Sequence, residues 1–209
     1  GSISIPDSVT KVSDRSFYFC QQLESVTLNK VQLIGEYSFA SCINLKGTLT
    51  IPDTVTDICN YAFSRCSQLT SLSLGKNVKF IGNNTFSSCS KLEGSLIIPN
   101  SVEEIGMYTF SDCNKLTSLS LSNSIKKIGG YAFFFCTGLK GEVKIPDAVV
   151  DINGYTFYKC IGINSIVLGP NINSIGSNSF EGCSGLSGPL SLPDTITEIG
   201  SFAFQDCSK

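Results

Sequence analysis

Phenylalanine recurs at near-constant intervals along the whole chain, and this repeat is the feature that most limits how the chain can fold. The steps between successive phenylalanines are 22, 24, 23, 24, 23, 24, 23 and 24 residues. Cysteine follows each phenylalanine by three residues, and valine or isoleucine precedes it by five and by eight residues. Such a period indicates stacked equivalent coils, because no coil can bury its apolar edge alone. The repeated phenylalanines are Phe17, Phe39, Phe63, Phe86, Phe110, Phe133, Phe157, Phe180 and Phe204.

The alternating steps define a larger unit of 47 residues. Every second coil carries one extra residue, marked by a glycine, and a proline five residues after that glycine. Proline has no N–H donor, so we expect the strand of each long coil to end there. The marker residues are Gly47, Gly94, Gly141 and Gly188, with Pro52, Pro99, Pro146 and Pro193.

The repeat motif resembles that of a known class of proteins. The motif is L-x-x-L-x-(L/I)-P-x-x-V-x-x-I-G-x-x-x-F-x-x-C, and residues 51–66 match its second part closely, with Cys59 at the glycine position. This pattern resembles the BspA-like class of leucine-rich repeats, which are surface proteins of anaerobic bacteria and mucosal protozoan parasites. The resemblance covers the entire chain. It implies adhesion or host-protein binding, and it supplies no catalytic residues.

Together these patterns predict an α/β solenoid, a right-handed leucine-rich-repeat superhelix of about nine coils of 22–24 residues. Alternating apolar residues, as in residues 72–74, predict a parallel β-sheet on the concave face. Residues 60–66 and their equivalents predict short helices or turns on the convex face, and the phenylalanines form an internal ladder. We expect residues 1–209 to be a single domain, a fragment of a longer array without its end caps.

Composition argues against several classes of function. The chain has 209 residues, a net charge of -2 and no histidine. It offers no basic stripe for nucleic acid and no apolar run of the roughly 20 residues that a membrane-spanning helix needs. Without histidine or a C-x-x-C cluster, the sequence suggests no catalytic constellation, metal site or cofactor. We therefore expect a protein that is not an enzyme.

Side chains that alternate with the buried strand positions should point outward. Most are small hydroxyl residues, and we name this set the strand face. Glu142 and Lys144, together with Ile97 and Val167, interrupt it and are the best candidates for a contact patch. The alternative is that these are simply β-compatible surface residues. The strand face consists of Thr48, Thr50, Ser71, Ser73, Ser95, Ile97, Ser118, Ser120, Glu142, Lys144, Ser165 and Val167, and the same pattern extends to Pro189 and Ser191.

Cysteine, glycine and tyrosine also recur at fixed positions of the repeat. The nine repeated cysteines are interpreted as buried, unpaired thiols, and Cys59, which lies outside that column, as the most reactive thiol. Cys59 and Ser13 replace glycine in a column where glycine predicts positive φ. Tyrosines two residues before the phenylalanines form an aromatic stripe that either shields the core edge or binds a ligand. Asn83 begins a possible glycosylation sequon, Asn-Asn-Thr.

The leading functional hypothesis is a non-catalytic binding module, a cell-surface or secreted adhesin that recognises host or neighbouring-cell protein or glycan. The alternatives are a cytoplasmic scaffold for protein complexes, which unpaired thiols favour, and a structural array that self-associates end to end. A partner that is a nucleic acid, or insertion of this segment into a membrane, is not expected.

Overall fold

Each repeat forms one turn of a parallel β-solenoid, and the turns stack along a common axis. The computed structural model describes residues 1–207, which make nine turns. The first eight turns contain one longer strand each, all nine contain a two-residue strand, and a turn segment surrounds each phenylalanine. All strand pairings are parallel and join equivalent residues of successive turns. The expected solenoid of about nine coils is confirmed.

The longer strands form one side of the solenoid. They are β1 (Ser2–Ser4), β3 (Ser25–Thr27), β5 (Gly47–Thr50), β7 (Leu69–Ser73), β9 (Glu93–Ile97), β11 (Lys115–Ser120), β13 (Lys140–Lys144) and β15 (Gly162–Val167). They pair two by two, so the hydrogen bonding follows the 47-residue unit. A register shift accompanies Gly47, Gly94 and Gly141, whose φ angles are 74°, 79° and 81°. Strands β5, β9 and β13 each end two residues before the proline of their coil, as expected.

The shorter strands form a second side, where valine or isoleucine enters the core in the first eight turns, whereas Ile199 in the ninth is 49% exposed. They are β2 (Lys11–Val12), β4 (Leu33–Ile34), β6 (Asp57–Ile58), β8 (Phe80–Ile81), β10 (Glu104–Ile105), β12 (Lys127–Ile128), β14 (Asp151–Ile152), β16 (Ser174–Ile175) and β17 (Glu198–Ile199). The first six make one sheet and the last three another. In the two-residue strands from β2 to β16 the second residue is buried, while the first is exposed or half-buried.

The phenylalanine column forms the predicted ladder. Neighbouring rings lie 5.0–5.7 Å apart between centroids, and their planes are within 9° of parallel. The seven inner rings, from Phe39 to Phe180, are fully buried. Phe17 and Phe204 are half-buried because each stacks on one ring only.

The predicted short helices are wrong, since residues 60–66 and their equivalents form turns, and no helix is found in residues 1–207. Two residues in each turn segment, such as Tyr131 and Phe135, have φ near +60°, which a right-handed helix of L-residues does not accommodate. Alternate amides bond to the next turn of the solenoid: Phe133 N donates to Thr156 O (2.9 Å) and Phe135 N to Tyr158 O (2.9 Å). Bonds between turns thus replace the bonds of a helix. The described chain also contains no helix that could span a membrane.

The ninth turn departs from the predicted strand pattern. Residues 188–192 form no strand, so Pro189 and Ser191 are not part of a sheet. The longer strands pair two by two and β15 already pairs with β13, so this segment has no strand beside it to pair with; Pro189 stands where the earlier long coils have Thr48, Ser95 or Glu142. Leucines 190 and 192 are consequently left 39% and 42% exposed.

Candidate binding surfaces

The strand face is arranged in two rows that run along the solenoid. Pairing aligns Thr48 with Ser71 and Thr50 with Ser73, and the same relation holds in β9–β11 and β13–β15. All twelve predicted residues are exposed or half-buried. The first row is Thr48, Ser71, Ser95, Ser118, Glu142 and Ser165, and the second is Thr50, Ser73, Ile97, Ser120, Lys144 and Val167.

The candidate patch on this face is partly contiguous. Glu142 pairs with Ser165, whose hydroxyl lies 3.4 Å from the Glu142 carboxylate, and Lys144 pairs with Val167. Ile97 lies in the same row as Lys144 but two turns away, so it does not adjoin the charged residues directly. Neither Glu142 nor Lys144 takes part in the ion pairs found within residues 1–207. Both charges are therefore available to a partner.

The cysteine column is structural. All ten cysteines are unpaired, and the seven from Cys42 to Cys183 in the column are buried. Each column thiol after the first donates to the phenylalanine carbonyl of the preceding turn at 3.1–3.4 Å, for example Cys113 Sγ to Phe86 O. Burial raises the pKa of Cys89 to about 12, which keeps the thiol protonated. Cys20, at the start of the column, is exposed.

The glycine column contradicts the predicted positive φ. Neither its glycines nor Cys59 and Ser13 have positive φ. Glycine predominates there because successive turns approach closely: a Cβ on Gly129 would lie 2.5 Å from backbone atoms of Gly106 and Met107. Cys59 is half-buried, and burial followed by the nearby carboxylates raises its pKa, which opposes the reactivity expected of it.

The tyrosine column does form a stripe, on the side that carries the turn segments. Tyr37 and Tyr61 stack at 4.5 Å between ring centroids, and Tyr131 stacks on Tyr108 at 4.3 Å and on Tyr155 at 4.6 Å. All five rings are half-buried. Partial desolvation raises the pKa of Tyr37 and of Tyr131. The stripe shields the core edge and also leaves ring surface accessible, so a shielding role and a ligand-binding role are compatible.

Asn83, the candidate glycosylation site, is held in the framework by its own side chain. Its Oδ1 accepts a hydrogen bond from Met107 N at 2.7 Å, while its backbone N donates to Asn60 Oδ1 at 2.8 Å. The sequon threonine, Thr85, is fully buried and donates to Gly82 O at 2.7 Å. Modification at Asn83 stays a prediction, and this geometry requires it to precede folding.

No group of three or more potential metal ligands occurs within residues 1–207.

Comparison with known proteins gives a consistent result. A family model described as BspA type leucine rich repeat region, with six copies, matches residues 1–117 and 94–209. A leucine-rich-repeat protein of T. pallidum is 25% identical, with a TM-score of 0.60, over 89% of this chain and 78% of that one. A leucine rich cell surface protein of Faecalibacterium prausnitzii is 24% identical, with a TM-score of 0.55, over 99% of this chain and 76% of that one, and shows the fold alone. No curated protein gave a significant match.

Proposed function

Because the chain belongs to the BspA-type leucine-rich-repeat family, we propose that it is an adhesin-like binding module at the cell surface or secreted from the cell. Repeats of this family form scaffolds suited to protein binding rather than to catalysis. In this proposal the ligand is a protein or a glycan of a host or neighbouring cell, and it contacts the strand face.

The observation that carries the proposal is the continuity of the two rows. Ser25 with Thr27, and Ser2 with Ser4, extend them by two turns, to eight turns in all, which at ordinary strand spacing is roughly 34 Å. A surface of that length matches the extended binding surfaces that solenoids present. Small side chains allow close approach of a partner, and their hydroxyls both donate and accept hydrogen bonds.

Electrostatics supports a contact at the C-terminal part of this face. Glu142 and Lys144 are exposed and lack ion-pair partners within the described residues, and Val167 beside Lys144 is 40% exposed. A charged pair adjoining an apolar side chain provides orientation together with desolvation energy.

The direct experiment measures binding of fluorescently labelled protein to cultured epithelial cells by flow cytometry. A variant with Ser73→Arg and Ser120→Arg places two bulky cations in the second row, where both residues are exposed. The matched control, Asn100→Arg with Asn123→Arg, changes the charge equally at exposed loop positions. We expect at least tenfold weaker binding for the strand-face variant only.

Equal binding by the wild type and both variants would exclude the strand face as the contact surface. A separate double substitution, Glu142→Gln with Lys144→Gln, tests the patch alone. If it leaves binding unchanged while the arginine variant abolishes it, the hydroxyl rows and not the charged pair carry recognition.

The ten unpaired thiols favour one alternative, a cytoplasmic scaffold for protein complexes. Subcellular fractionation of the native protein separates the two, since the adhesin proposal requires the intact protein on the surface or in the medium.

End-to-end self-association is a third possibility, because Leu190, Leu192 and Phe202 of the last turn are exposed. Light scattering over a concentration series tests it, and a monomer throughout would exclude it.

A further inference from the structure

A cavity of about 260 Å³ opens on the tyrosine side of the first four turns. Tyr37 and Tyr61 form one wall, and Tyr18 meets Tyr37 edge-on at 6.2 Å between centroids. The tyrosine stripe stops at Asn84, which occupies the next position of the column, so the ring face of Tyr61 on that side has no aromatic neighbour. We name this cavity the Arg65 groove, after the cation that lines it together with these residues.

The floor of the Arg65 groove carries hydroxyl groups without partners. Four serines line it, and the serine hydroxyls that form hydrogen bonds within residues 1–207 all lie elsewhere in the chain. The fully buried hydroxyls that lack a hydrogen-bond partner within residues 1–207 belong to other serines. Each of the four hydroxyls is therefore accessible to the cavity or to solvent. These serines are Ser41, Ser64, Ser87 and Ser88.

Both arginines of the chain lie at this end of the tyrosine stripe. Arg65 lines the groove, and the Arg15 guanidinium lies 5.1 Å from the centre of the Tyr37 ring. Of the six ion pairs found in residues 1–207, five use a lysine and one uses the N-terminal ammonium, so neither arginine joins one. No acidic residue is among those that line the groove. The planar guanidinium binds a carboxylate through two parallel hydrogen bonds.

We propose that the Arg65 groove binds a carboxylate-bearing sugar ring of an acidic oligosaccharide. The Arg65 guanidinium receives the carboxylate, and the C–H face of the pyranose packs on the open face of Tyr61, whose π-electrons attract the positive C–H edge. The ring hydroxyls replace water at the unpartnered serine hydroxyls and at the Asn84 amide. This site goes beyond the proposed function, because it lies on a different face and does not require any ligand on the strand face.

The test uses trigalacturonic acid as the probe and its fully methyl-esterified form as the matched neutral sugar. Binding is followed by NMR titration of the intact chain. We expect saturable shifts at Asn84 and Ser88 with the acid, at least tenfold weaker binding of the ester, and weaker binding as ionic strength rises.

Two substitutions separate recognition from folding. Asn84→Tyr restores the residue found in both neighbouring turns, where Tyr61 and Tyr108 have φ of 58° and 56° against 56° for Asn84, so the fold should tolerate it. The added ring closes the groove, and we expect loss of binding. Asn178→Tyr is the matched control four turns away, with φ of 58°, and should bind as the wild type does.

Charge is tested by Arg65→Gln, for which we expect at least tenfold weaker binding. Its control is Lys159→Gln, the equivalent position of a later turn, where Lys159 lies over the Phe135 ring at 5.5 Å. Equal binding of acid and ester, or unchanged binding in Asn84→Tyr, would overturn the proposal. Equally strong binding of triglutamate peptide, or binding of a sulfated trisaccharide in place of the carboxylated one, would overturn its assignment to a carboxylate sugar. A variant that loses binding at the strand face should still bind trigalacturonic acid, because the Arg65 groove lies on a different face.

Discussion

Replacing Phe110 by alanine removes one ring from the middle of the phenylalanine ladder. The ring is fully buried and stacks on Phe86 and Phe133, with centroids 5.5 Å and 5.7 Å away. Its backbone N donates to Ala132 O at 2.8 Å, which fixes the spacing between turns and limits collapse into the space left behind. We therefore expect a loss of about 3–5 kcal/mol in the free energy of unfolding, the range for truncating a buried aromatic side chain.

Phe204→Ala is the matched comparison at the end of the ladder. Phe204 is only partly buried and stacks on a single ring, Phe180, at 5.3 Å. Less apolar surface returns to water and one ring contact is lost instead of two, so we expect a loss of roughly 1–2 kcal/mol.

Both variants are measured by equilibrium urea denaturation followed by far-UV circular dichroism. A graded ladder requires the midpoint to fall more for Phe110→Ala than for Phe204→Ala, while the slope of the unfolding free energy against urea concentration stays the same. A loss below about 1 kcal/mol for Phe110→Ala, or equal losses at both positions, would refute the claim that the rings form a graded internal ladder.

Four further outcomes follow from the packing of the turns. Gly129→Ala should destabilise by about 1–3 kcal/mol in urea denaturation, since its Cβ would lie 2.5 Å from the backbone of Met107; an unchanged midpoint would contradict the close approach. Asn83→Ala should cost about 1 kcal/mol in the same assay by leaving Met107 N without its acceptor. Because burial raises the pKa of Cys89 to about 12 from 9.0, stability should fall as pH rises above about 9, where unfolded thiols ionise; Cys89→Ala should reduce that slope. Thiol titration of the native protein should label Cys20 before Cys89.

Most of the fold could be predicted from the sequence repeat. Apolar columns with one fixed period specify which side chains face inward, so the ladder containing Phe110 and the exposed strand face, including Glu142 and Lys144, were predictable from spacing. The absence of a strand in residues 188–192 was harder to predict, because Pro189 fits the period and spacing alone does not show that the longer strands pair two by two.

Other features depend on backbone conformation that spacing does not encode. A pattern such as that around Tyr61 suits a short helix, yet two left-handed residues per turn redirect the amides to the next turn of the solenoid. Glycine in the column of Gly129 reflects close contact between turns rather than positive φ. Arg65 and Ser88 occupy the same column in successive turns, so the repeat places them side by side, but only the folded turns show that they line a groove with Tyr61.

Hydrogen bonds join successive turns of the solenoid in the segments where helices were expected. Scalar coupling across hydrogen bonds, detected by NMR in the perdeuterated protein, measures this directly. The structure predicts a correlation between Phe133 N and the carbonyl carbon of Thr156, whose oxygen lies 2.9 Å away. A correlation from Phe133 N to the carbonyl carbon of Gly129, four residues earlier, would instead indicate a helix and contradict the stacked-turn architecture.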